Sequence, residues 1–133
     1  TEHPDTEFDF FLPPYSILFW DKVIREGRTE AVFAAIRQAG QTLLQYDNVK
    51  FYGYLMDPEI VTNLDNYCDY IHHSGGVCRE ILAMLQREEG RLTEENLEET
   101  LANWREFVVH YDYDQFWDER FWIQWNAEHA AAP

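Results

Sequence analysis

Two short runs rich in aromatic and β-branched residues, separated by a long helical stretch, constrain this chain most. The first is FDFFLPP, Phe8 to Pro14. An aromatic run stopped by two prolines predicts a buried strand with a hard end. The second is VKFYGYL, Val49 to Leu55, whose β-branched and aromatic content predicts another strand. Between them, Ile17, Trp20, Val23 and Ile24 recur at helical spacing up to Gly27. Val32, Ile36, Ala39 and Leu43 then form a second stripe, widened by Phe33 and Leu44. Thr29 suits the cap of that helix, and Asp47-Asn48 supply a turn after Tyr46. Strand, helical connection, strand is a βαβ unit, in which the strands run parallel and the crossover is right-handed. The expected class is therefore α/β and helix-rich. Its two parallel strands lie at 8–12 and 49–55, with helix 29–46 packed across them. Two strands make a poor sheet alone, and an open edge invites pairing. Self-association, as a homo-oligomer or a swapped dimer, is expected to cover it.

The rest of the chain is mainly helical by the same criteria. DPEIVTNL predicts a short helix or turn. Ser74-Gly75-Gly76 breaks the chain before VCREILAMLQREEG, a helix closed by Gly90. Thr93 suits the next cap, with Glu94 and Glu95 in the first turn where the helix dipole favours anions. Leu97, Leu101, Trp104, Phe107 and Val108 make that helix's apolar stripe. The aromatic tail, 117–133, is expected to fold back as a helix against the domain; the alternative is an exposed partner-binding surface. The polar start, Thr1 to Glu7, reads as a leader. With no repeat and no Pro-rich or Ser-rich linker, the 133 residues fit a single domain or part of one.

Charge narrows the function classes. The net charge is −15, and residues 86 to 128 hold much of the excess acid. That argues against nucleic-acid binding through phosphates, which needs clustered Lys and Arg. The carboxylates serve either as a solvated face or as a surface that occupies a basic site on a partner. No run approaches the ~20 apolar residues of a membrane span, and no cationic segment precedes an apolar one as in a signal peptide.

The chemically richest stretch is NYCDYIHHSGGVC, residues 66 to 78. Cys68, His72, His73 and Cys78 could form a Cys2His2 set. The spacing matches no finger or knuckle, however, and Asp69 and two glycines interrupt it, so no metal is expected. Asp69-Tyr70-Ile71-His72 is D-x-x-H. An aspartate three residues before a histidine can accept from its Nδ1–H and leave Nε2 free to take a proton. Asp69 and His72 are therefore the candidate catalytic residues. The only serines, Ser16 and Ser74, sit where helix openers belong.

FDFFLPPYSILFWD, YDNVKFYGY, TNLDNYCDYIHHS and GRLTEENLEETLANWREFVVHYDYD, in this order, resemble the C-terminal part of bacterial SGNH/GDSL-type hydrolases. The resemblance runs from Asp5 to Phe116 and implies a partial three-layer SGNH-like fold. It implies a serine esterase or acyltransferase parent, often membrane-anchored, acting on a small ester or a cell-surface carbohydrate without metal or organic cofactor. It makes Asp69 the orienting acid and His72 the base of a Ser-His-Asp triad. Cys68 stands where the family often has lysine, and His73 where it more often has an aromatic. The family's nucleophile and oxyanion blocks lie upstream of the matched region, in a missing N-terminal half. This chain is thus expected to show little or no esterase activity. The alternative is a small acidic binding or inhibitor protein, DNA-mimic or immunity-like, working through its carboxylate surface.

Overall fold

A computed structural model describes residue 3 and residues 5–129. Parts of the expected leader and the last residues of the tail lie outside the described residues. The elements are β1 (Phe8–Phe11), α1 (Ile17–Arg25), α2 (Thr29–Leu43), β2 (Val49–Tyr52), α3 (Pro58–Val61), α4 (Gly75–Gln86), β3 (Arg91–Leu92), α5 (Leu97–His110) and α6 (Glu119–His129). The sheet order is β1-β2-β3. β1 and β2 run parallel, with Phe8 beside Val49 and Phe11 beside Tyr52. β3 is antiparallel to β2 and sets Leu92 beside Phe51. The class is α/β and helix-rich, with a small mixed sheet.

Several boundaries differ from the sequence reading for local reasons. β2 stops at Tyr52 because Gly53 begins a tight turn that leads into a 3-10 segment, Tyr54–Met56. A Cβ at Gly53 would sit 2.7 Å from the Met56 methyl, so a larger residue there would have to displace that side-chain tip. α5 begins at Leu97, not after Thr93. Thr93 and Asn96 bond reciprocally, each side chain accepting from the other's backbone N–H, and Asn96 becomes the cap. β1, expected to be buried, is exposed along its whole length, with Phe10 43% accessible. As the edge strand it has only β2 beside it. Gly27 does close α1 at positive φ, but α4 stops at Gln86, short of Gly90, and Glu88 takes the positive φ after its cap Arg87.

The sheet separates two apolar clusters. On one side Phe51 and Leu92 meet Ile17 and Trp20 of α1, Phe33 and Ile36 of α2, and Leu101 and Trp104 of α5. Trp20 is fully buried, with the Phe33 and Trp104 rings 5.1 and 6.0 Å from its own. On the other side Tyr52 and Tyr54 meet Ile60, Val77, Ile81 and Met84. Each such side chain contributes roughly 1.5–3 kcal/mol on burial. The tail forms a helix, α6, whose first turn meets α1 through Phe121. Its neighbour Trp117 donates its Nε1–H to the buried Asp21 carboxylate at 2.6 Å. Arg25, one turn along α1, pairs with the same carboxylate and lies over the Trp117 and Phe121 rings. Among the described residues no helix is long and apolar enough to cross a membrane.

Candidate functional site

The segment 66–74 forms a closed loop between the α3 region and α4. The Cys68 N–H donates to the His72 carbonyl, Ser74 N–H donates to Asn66, and Tyr67 and His73 form an antiparallel bridge. At its tip the Asp69 carboxylate organises the turn. Oδ1 accepts from the backbone N–H of Ile71 at 2.9 Å and of His72 at 2.7 Å. Oδ2 lies 2.6 Å from His72 Nδ1, which is the local hydrogen bond that the D-x-x-H spacing calls for. These bonds, the two backbone ones foremost, hold the Asp69 carboxyl at about 2, well below its ordinary range. The pair is solvent-facing, with the His72 side chain 73% accessible.

The loop is docked onto the start of α1. Ser16 donates both its N–H and its Oγ–H to the Tyr70 carbonyl, each at 3.0 Å. Tyr67 donates its hydroxyl to Pro14 at 2.9 Å. Burial pushes that phenol up strongly. Ser16 opens α1 as expected, but its hydroxyl is fully buried and spent on Tyr70. Ser74 caps α4 by backbone geometry.

Docking leaves a cleft of about 430 Å³ between the loop, α1 and the start of the tail. Its apolar wall comes from Leu18, Leu64, Tyr70, Trp117 and Phe121. Lys22, Arg25 and Asp69 supply its charges. Asp69 thus serves the turn and the cleft at once, while His72 stands beside the cleft and does not line it. Cys68 also lines the cleft, and Cys78 lies 3.7 Å from His73 Nδ1. Both thiols are free and exposed. Among the described residues no group of three or more His, Cys, Asp or Glu is arranged to hold a metal ion. The sequence reading missed Lys22, Trp117 and Phe121. An acidic chain that keeps a lysine one turn into an aromatic helix, together with an unusually aromatic tail, was the available signal.

No family model matches the chain, and no solved structure matches it. Curated relatives include the UPF0735 ACT domain-containing proteins of Lacticaseibacillus casei and Lacticaseibacillus paracasei, each 24% identical over 90 residues. The match covers 68% of this chain, which spans 62% of the length of either relative. These relatives point towards ACT-domain-containing proteins, and neither bears a hydrolase name. They overturn the resemblance to SGNH/GDSL hydrolases drawn from the four ordered segments. The esterase or acyltransferase role falls with it, and the acidic-mimic alternative gains no support from them. The physical reason is that short aromatic strands, Asn-Asp turns and a D-x-x-H turn are local solutions that unrelated folds share.

Proposed function

We propose that this chain is a small regulatory, ligand-binding domain whose site is the cleft between α1, the 64–70 segment and the start of the tail. The cleft itself carries this reading. It is concave, mostly apolar, of small-molecule volume, and has a few charged groups that converge on it. The ACT-domain description of the relatives agrees with a binding role. In this reading Asp69 and His72 form a polar rim. Asp69 stays ionised and fixes the imidazole through Nδ1, which leaves Nε2 to meet a ligand or water. The test is thermal unfolding against a library of small fragments, because a ligand that binds only the folded state stabilises it by ~2.7 kcal/mol at a hundred times its Kd. Fragments that raise Tm in the native protein and lose that effect in Leu18→Trp, which fills the cleft, support it. A library without stabilisers, or stabilisers indifferent to Leu18→Trp, contradicts it.

The open edge of β1 is the seat we propose for self-association. Phe8 and Leu12 donate to Asn48 and Tyr52 on the β2 side, so in a parallel ladder Asp9 and Phe11 turn their backbone groups outward. Two copies paired antiparallel about Phe10 would join those groups and set Asp9 opposite Phe11, not opposite another carboxylate. Light scattering should show a concentration-dependent dimer that Phe10→Lys weakens. A strict monomer at high concentration contradicts this.

A further inference from the structure

We infer that the ligand of the cleft is a small aromatic monocarboxylate, its ring against the Trp117–Phe121 wall and its carboxylate on Lys22. This rests on the cleft being the binding site. The wall is aromatic: the Trp117 and Phe121 rings stack face to face, with centroids 4.1 Å apart and planes 18° from parallel. Tyr70, Leu18 and Leu64 complete an apolar lining that favours a ring over a polar body.

The carboxylate follows from how the two cations are used. Arg25 is largely buried, pairs with Asp21 and covers the Trp117 and Phe121 rings. Its charge is built into the wall. Lys22 differs. Its side chain is 44% accessible, and its carboxylate contact to Glu26 is long, at 3.8 Å. Its ammonium lies 5.1 Å above the Tyr70 ring, at the cleft. Lys50, by contrast, holds two glutamates at 2.9 and 2.7 Å. Lys22 therefore keeps donors that a ligand anion can use, in a chain of net charge −15 that offers few such places. Asp69 lines the same cleft as a persistent anion. It repels a second carboxylate, which selects a monoacid over a diacid.

Calorimetric titration of the full chain with 3-phenylpropionate, 3-phenylpropanamide and phenylsuccinate tests this. The acid should bind about tenfold more tightly than its amide, as one charge-assisted contact implies. The diacid should bind more weakly than the monoacid, Lys22→Gln should erase the preference for acid over amide, and Leu18→Trp should block all three. Equal binding of acid and amide, unchanged by Lys22→Gln but blocked by Leu18→Trp, overturns the ligand class and leaves the cleft standing. Binding of neither, or binding indifferent to Leu18→Trp, overturns the cleft as well.

Discussion

Asp21–Arg25 and Asp69–His72 are both acid–base pairs closed within one helical turn's worth of chain, and they are built in opposite ways. Asp21 is 3% accessible. It pairs with Arg25 and accepts from Trp117, yet burial still raises its carboxyl above the ordinary 3.8. Asp69 is open to solvent, accepts three hydrogen bonds, and is held at about 2. Desolvation wins inside and hydrogen bonding wins outside. The inner pair is a staple that fixes the tail to α1, and losing one partner strands a buried charge. The outer pair shapes a turn, and solvent screens what it adds to stability. Each pair lends one residue to the cleft lining, Arg25 from the inner pair and Asp69 from the outer one.

The sharpest way to break this contrast is Asp21→Ala. It leaves Arg25 without its carboxylate and should cost about 3–5 kcal/mol by urea unfolding. A loss near that of a surface substitution would show that the inner pair is no staple. Trp117→Phe keeps a ring over Arg25 but removes the indole donor. It should cost about 1.5–3 kcal/mol, the range for a hydrogen bond to a charged group. A cost equal to that of Asp21→Ala would mean that the indole, not Arg25, holds the carboxylate.

Acid titration of stability separates the pairs by sign. Asp69 has a depressed folded value, so its contribution is present above 3.8 and is lost as pH falls towards about 2. Asp21 has a raised folded value, so the folded state favours its protonated form. Its contribution is full below 3.8 and declines as pH rises through the raised value. Comparing Asp69→Asn and Asp21→Asn with the native protein across this range should give slopes of opposite sign. Slopes of the same sign would contradict the contrast.

The smallest effect is expected from Asp69→Asn near neutral pH. Asparagine keeps an oxygen for the Ile71 and His72 amides but sets an NH2 donor where Oδ2 accepted from the imidazole, so the charge and that one hydrogen bond are lost. Unfolding midpoints should barely move, while ring-nitrogen NMR shifts of His72 should lose the fixed Nδ1–H form. A large destabilisation would make the turn a second staple.

What was legible in the sequence follows the reach of each interaction. The Asp69–His72 bond spans three residues, and spacing alone displays it. The parallel β1–β2 pair and the helices between them follow from periodicity and from the rule for βαβ connections. β3 has two residues, too few for any pattern, so the antiparallel edge was unreadable. The exposure of β1 depends on how many strands flank it, which its own residues do not encode. The cleft was hidden because long-range contacts assemble it. Ser16 meets Tyr70 across 54 positions, Tyr67 meets Pro14 across 53, and Trp117 meets Asp21 across 96. The family resemblance failed because it leaned on those same local motifs.

The central claim is that a small apolar anion seats in the cleft beside the 64–70 segment. Intermolecular nuclear Overhauser contacts from saturating 3-phenylpropionate test it most directly, since the molecule has a second apolar groove, formed by Phe8, Phe10, Leu43, Tyr46 and Val49 at the β1 edge. The predicted result is contacts from the ligand ring to the Trp117 indole and to the Leu18 and Leu64 methyls, with none to the groove. Contacts to Phe8, Phe10 and Tyr46 with silence at Trp117 would contradict it.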